Sequence, residues 1–301
     1  MLPKPGKPGI HNLENQRGIF LISVFRSIIM KLLLKDNYDI LDNHMTDSNI
    51  GGRKNRRIQD HLFIVNGILY DVTRRQKKKP ISICVYDCRQ CFDSMWQEEV
   101  LNDIFEAGVK DDHLALLQEI NMTNYVSVKT QHGLTDRTEI NKVICQGDPW
   151  GPIQCSVQID GIGRGSLEAD LEPYKYKDEV EIPALGMVDD ILTISESGYK
   201  TARMNSYINA KIAMKKLQLG PKKCSVLHTG KGHENIELFV DGWEIKSVKD
   251  VETGENSRQD IFEGSIEMSH LGSDKYLGQT ISADGRNTNN IEKIKNKGIG
   301  I

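Results

Sequence analysis

At 301 residues the chain can bury a large core and hold one or two domains, and with 38% hydrophobic residues it is of ordinary composition, without low-complexity tracts or a solenoid period. The net charge is only −3, which by itself argues against a nucleic-acid binder. The distribution reverses that argument: residues 1–80 hold 15 Lys+Arg against 7 Asp+Glu, and the remainder holds 24 against 35. A basic lobe attracts a phosphate backbone, with an affinity that falls steeply as salt rises.

The chain opens on a turn-rich arm, residues 1–16, with no signal-peptide shape. Ile19 to Leu34 is the longest apolar stretch, but Arg26 and Lys31 interrupt it and it falls short of a membrane span. A soluble, intracellular protein is expected, nuclear or cytoplasmic and not secreted. Arg17–Lys35 reads as an apolar helix and 36–50 as a polar loop. Ile58, Leu62, Val65 and Leu69 recur at helical spacing and mark a second helix to about Val72. The basic run Arg74–Lys79 reads as a solvated loop.

Pro80 to Asp87 is a near-continuous β-branched run ending in a carboxylate, the pattern of a buried strand. A helix is expected at about 93–107, and a short one after Asp112. Tyr125–Gln131 and Arg137–Cys145 read as an antiparallel pair. A turn and a helix fill Gly147–Gly165, and a long helix runs from Gly198 to about Leu217. A strand is expected at Lys223–His228, a hairpin turning on Asp241-Gly242, and a last strand at Lys275–Ile281. Glu168–Glu181 and Lys249–Glu267 look like acidic surface insertions. Six cysteines include Cys88 and Cys91 as a lone CxxC, which without a second Cys/His pair reads as buried thiols rather than a zinc or redox site.

The chemistry concentrates at Met187-Val188-Asp189-Asp190. Apolar, β-prone runs flank two adjacent carboxylates, which reads as strand, tight turn, strand. The alternative is an ordinary solvated hairpin turn. Two like charges at such a tip repel unless a cation lies between them, and carboxylate oxygens suit magnesium. Asp87, at the end of a buried strand, adds a third acid. Carboxylates gathered in this way hold two metals and serve phosphoryl transfer.

These residues carry a resemblance. Asp87 with Phe92-Asp93, then Gln146-Gly147-Asp148-Pro149, then Met187-Val188-Asp189-Asp190 resemble motifs A, B and C of reverse transcriptases. Asn15–Ile19, Gly51–Asp60 and Lys275–Gly285 are similar to the fingers and primer-grip segments of the non-LTR (LINE-type) retrotransposon branch. The resemblance covers roughly residues 12–290. It implies an α+β right-hand polymerase with a ferredoxin-like antiparallel palm sheet and a thumb largely absent. Fingers would comprise 1–80 and 108–145, palm 81–107 and 146–285, and 286–301 the start of a thumb.

The same resemblance implies RNA-directed DNA synthesis on an RNA template from a DNA primer and dNTPs, with two Mg2+ ions for which Mn2+ can substitute. Asp87, Asp189 and Asp190 would be the metal ligands, with Asp93 competing but better explained as a helix cap. Lys222 or Lys223 would protonate the leaving pyrophosphate. Phe92 would be a steric gate against the 2′-hydroxyl, and Gln146 and Gly147 would contact nucleotide and template. Arg17, Arg53 and Lys54 are candidates for triphosphate or template contact, and Tyr276, Leu277 and Gly278 for the primer grip. Two departures stand out: Trp150–Cys155 replaces the usual apolar continuation of motif B, and Met187 replaces an aromatic residue. With no room for the branch's endonuclease, nicking would come from a domain or protein in trans. A truncated, non-catalytic RNA-binding remnant is the alternative function, and a two-metal nuclease a third.

Overall fold

The computed structural model describes residues 2–3, 16–17, 19–75, 80–122, 125–130, 132–142, 144–169, 171–230, 237–249 and 256–286. Most of the expected arm, the Arg17 side chain, Lys77–Lys79 and the expected thumb start beyond 286 lie outside the described residues. The chain divides into two compact units, 1–45 with 51–53 and 90–158, and 46–50 with 54–89 and 159–301.

In the first unit α1 (Val24–His44) starts where the Ser23 side chain accepts the Arg26 N–H, 3.1 Å away. It runs through residues expected to form a loop. Leu33, Asn37, Tyr38 and Leu41 are buried at helical spacing, so the helical stripe continues under a polar-looking sequence. Asn37 donates to the Leu33 carbonyl at 2.8 Å, which explains how a buried amide is accommodated there. The helix expected at 93–107 is two pieces, α3 (Cys91–Ser94) and α4 (Gln97–Glu106), followed by α5 (Asp111–Met122). The pair expected after it is short, Tyr125–Val126 against Thr138–Glu139. The helix α6 (Gly151–Glu168) begins beside the buried Trp150, whose indole N–H donates to the Met30 carbonyl at 2.7 Å.

The second unit is built on five strands in the order Leu185–Met187, Asp190–Ser195, Ile81–Asp87, Ser225–Thr229, Ser269–His270. All neighbours are antiparallel except the last pair. Ile81–Asp87 lies in the middle, bonded on both sides. Its first six residues are all buried, as its continuous apolar run requires. The α2 helix (Ile58–Tyr70) contributes Leu62, Val65, Ile68 and Leu69 to the core formed with Ile81, Ile83, Leu192, Ile194 and Leu227. The α7 helix (Gly198–Met214) is capped by the Ser197 side chain, which accepts the Lys200 N–H.

Two local readings are corrected. Asp241-Gly242 is not a turn: it lies within the strand Phe239–Lys249, which pairs along its length with Asn256–Glu267 and carries a bulge between Gly242 and Trp243. A long cross-strand ladder has overridden a two-residue turn signal. Lys275–Ile281 is not one strand but a hairpin, Ser273–Tyr276 against Gln279–Ser282. Leu277 and Gly278 take positive φ at its tip, +47° and +80°. The two stretches read as surface insertions also contain paired strands, Tyr174–Tyr176 with Val180–Ile182 and Asn256–Glu267 with its partner.

Candidate active site

Asp87 ends the central strand, and the register places it directly opposite Asp190 on the neighbouring strand. Asp190 in turn faces Met187 across a two-residue turn of Val188 and Asp189. The hairpin reading of the sequence is correct, and one sheet edge collects three carboxylates. Val188 has φ of +59°, a conformation that a β-branched residue adopts only under strain, on the order of 1–3 kcal/mol. The Asp189 carbonyl accepts the Cys88 N–H at 3.3 Å, which ties the tip to the chain just past Asp87.

A second segment closes on Asp87 from the other side. The Gly220 N–H donates to the Asp87 carbonyl at 2.8 Å, and Arg89 N–H to the Gln218 carbonyl at 2.8 Å. A Cβ on Gly220 would stand 3.2 Å from Asp87 Oδ2, so glycine permits this approach. The turn Pro221–Lys223 then delivers Lys223, whose Nζ donates to Asp87 Oδ1 at 2.8 Å and Oδ2 at 2.6 Å. The sequence leaves Lys222 and Lys223 equivalent; the fold brings Lys223 to the acid, while Lys222 is exposed.

Burial, then the charges of Asp189 and Asp87, push the Asp190 carboxyl up to about 6, against a smaller opposing effect of Lys223. An ammonium on Asp87 and an acid reluctant to ionise are the marks of an anionic cluster short of positive charge. The donor set, three carboxylates, fits a hard divalent cation. Among the described residues no three such donors already stand at metal-binding separation, so the fit is one of chemistry and placement.

The remaining expected residues fall in different settings. Tyr276 is buried, and its hydroxyl meets His61 Nδ1 at 3.1 Å while His61 Nε2 meets the Ser48 carbonyl at 3.0 Å. Burial raises the phenol far above its usual value, with Asp190 adding to it. The same burial lowers His61 to about 4, so the ring is neutral, partly offset by the Ser48 bond. Leu277 is half-buried and Gly278 exposed at the hairpin tip.

In the first unit Phe92 is the second residue of α3, whose N-cap Gln90 takes a positive φ of +48°. The Phe92 carbonyl accepts the Ile144 N–H at 2.7 Å, and its ring edge is 3.6 Å from where a Cβ on Gly151 would lie. Gln146 is half-buried, and Gly147 has φ of +106°, so only glycine suits the turn. Arg53 is buried, with Nε on Asp42 Oδ1 at 2.7 Å and Nη2 on the Asp42 carbonyl at 2.9 Å; Lys54 is exposed. Asp93 sits in the first turn of α3, its backbone N–H on the Gln90 carbonyl.

The sequence places Asp148 in the motif B segment but does not show its partner Arg26. Arg26 donates through Nε and Nη2 to Asp148 Oδ2 at 3.3 and 3.2 Å, and Asp148 Oδ1 accepts the Trp150 N–H at 3.0 Å. This pair pins the turn that carries Gln146 and Gly147. With the partners 122 positions apart in sequence, no local spacing reveals it. The six cysteines are buried thiols, none of them in a disulfide, as read from the sequence.

Residues 2–281 match the family model described as reverse transcriptase (RNA-dependent DNA polymerase). The chain belongs to the reverse transcriptase family. It is similar to the "Retrovirus-related Pol polyprotein from type-1 retrotransposable element R2" of Popillia japonica, 20% identical over 222 residues, or 72% of this chain and 33% of that protein. This agrees with the expected non-LTR reverse transcriptase. A solved structure, telomerase from Candida tropicalis in complex with a TWJ fragment of telomeric RNA, shares the fold with a TM-score of 0.50 at 12% identity. It covers 76% of this chain and 37% of the telomerase chain. The fold class is therefore the α+β right-hand polymerase. The chain spans about a third of the length of these two relatives. Among the described residues no helix is long and apolar enough to cross a membrane.

Proposed function

We propose that this reverse transcriptase chain extends a DNA primer on an RNA template, using dNTPs and two divalent cations, Mg2+ or Mn2+, held by Asp87, Asp189 and Asp190. The observation that supports it is the Asp87–Asp190 register with Asp189 in the turn beside them. When bound, the cations would lower the pKa of the primer hydroxyl and neutralise the triphosphate.

The chain's own residues supply the rest. The central strand and the strained hairpin fix the carboxylates before substrate arrives, so little reorganisation is needed at the moment of reaction. Lys223 neutralises Asp87 in the unloaded state. The Lys223 ammonium, held 2.6–2.8 Å from the Asp87 carboxylate, is the group that would give a proton to the departing pyrophosphate. Phe92 excludes the 2′-hydroxyl, and the Gln146–Gly147 turn, held by Arg26 and Asp148, receives nucleotide and template. The Tyr276–Gly278 hairpin supports the primer strand from beneath, with Tyr276 anchored in the core and the exposed tip as the contact. Residues 81–107 and 146–285 act as palm, and 1–80 and 108–145 as fingers.

The test is primer extension on an RNA template with Mg2+ and dNTPs, for the wild type and Asp189→Ala. Extension that disappears in the variant supports the reading. Silence of both, with RNA still bound in a steeply salt-dependent manner, means a non-catalytic RNA-binding remnant instead.

A further inference from the structure

The parallel pairing of Ser225–Thr229 with Ser269–His270 brings two histidines together at the far side of the sheet order from the carboxylate hairpin. His228 Nε2 and His270 Nδ1 face each other at 3.1 Å, with the rings tilted by 38°. Each outer nitrogen has its own oxygen partner. His228 Nδ1 is 2.9 Å from the Oγ of the buried Ser82, and His270 Nε2 is 3.6 Å from Glu267 Oε1.

A neutral imidazole carries one proton, and the oxygen partners decide where it sits. Glu267 accepts only, so it favours the proton on His270 Nε2 and leaves a lone pair on Nδ1. The Ser82 hydroxyl works in either sense. When it donates to His228, the Nε2–H of His228 donates to His270 and the chain is satisfied. When it accepts from His228, both inner nitrogens carry lone pairs, and a cation, a proton or a metal ion, between them relieves their repulsion. Two imidazole nitrogens each ~2.0–2.1 Å from one ion, at an angle of about 90–110°, stand about 2.9–3.4 Å apart. The observed 3.1 Å lies within that range, as it does for a hydrogen bond between the two rings. A hydroxyl hydrogen-bonded to one outer nitrogen and a carboxylate 3.6 Å from the other are groups of the kind that orient metal-binding histidines.

We propose that His228 and His270 bind one divalent transition-metal ion of the class that imidazole prefers, zinc, nickel or copper, oriented by Ser82 and Glu267. Among the described residues no third Cys, Asp, Glu or His completes the set, so water or an external ligand fills the other positions. The ion would fasten the edge strand Ser269–His270 to the sheet.

The test is titration of the full chain with Zn2+ in the presence of excess Mg2+, with Co2+ absorption as an optical probe of imidazole ligation. The wild type takes up one equivalent of Zn2+, and its Tm rises. His270→Asn weakens Zn2+ binding more than tenfold, abolishes that rise, and leaves Mg2+-dependent primer extension and the Tm in EDTA unchanged. Glu267→Gln, which keeps both ligands, weakens Zn2+ about tenfold. Asp189→Ala leaves Zn2+ binding intact. Zn2+ uptake indifferent to His270→Asn, uptake lost in Asp189→Ala, or no uptake by the wild type overturns the proposal.

Discussion

Replacing Asp190 by Asn should make the metal-free protein more stable while abolishing synthesis. The folded carboxyl titrates at about 6, raised from 3.8 by burial and by Asp189 and Asp87. Between these values the folded state holds a proton that the unfolded state has released, so stability falls as pH rises through this window and stays lowered above it. The full shift corresponds to roughly 3 kcal/mol, and because the side chain is partly exposed about half of that is expected, 1–2 kcal/mol. Asn carries no charge and escapes the penalty. In urea unfolding at pH 8 with EDTA, a slope of about 3 kcal/mol per molar turns this into a midpoint about 0.5 M higher for the variant. The gap should close between pH 6 and pH 4. Mg2+ with dNTP should reverse the order, because ligand that binds only the native wild type stabilises it. A variant less stable than the wild type at pH 8, or a gap indifferent to pH, would refute the claim that the cluster is held against its own repulsion.

Three further perturbations probe other parts of the structure. Phe92→Ala should raise ribonucleotide incorporation relative to dNTP incorporation by on the order of tenfold or more, measured by kcat/KM for each; an unchanged ratio would make Phe92 a packing residue. Gly52→Ala should cost about 1–3 kcal/mol in chemical unfolding, because Gly52 has φ of +66° and its added Cβ would lie 3.0 Å from the Pro152 carbonyl carbon. His61, lowered from 6.5 to about 4 by burial, stays neutral in the fold while the unfolded chain takes up a proton. Stability should therefore fall by on the order of 3 kcal/mol as pH drops from 6.5 to 4, and His61→Gln should lack this component when its pH profile is compared with that of the wild type.

The parts of this fold legible in the sequence are those where one physical demand dominates. Ile81–Tyr86 must be buried on both faces, and its composition says so. The hairpin around Asp189 is marked by apolar arms and acidic residues that a strand interior rejects. The misread parts depend on partners distant in sequence. Asp241-Gly242 looks like a turn until the strand at 256–267 is available to pair across it. Residues 36–44 look like a loop because the stripe of Asn37, Tyr38 and Leu41 is half polar, and only the packing of α1 reveals it as buried. In the candidate site, the acids could be named from local pattern. The choice of Lys223 over Lys222 could not, since it depends on how the Gly220 turn meets Asp87. The pairing of Arg26 with Asp148 was invisible for the same reason.

The central claim is that Asp87, Asp189 and Asp190 together hold the catalytic cations. The direct measurement is Mn2+ binding by electron paramagnetic resonance, with dNTP and a primer–template present, for the wild type, Asp87→Asn and Asp189→Asn. Single-nucleotide incorporation is followed in the same samples. Mn2+ bound by the wild type and lost from both variants, together with incorporation, while the variants still bind primer–template, is the expected result. Variants that keep Mn2+ and incorporate nucleotide at the wild-type rate would contradict it.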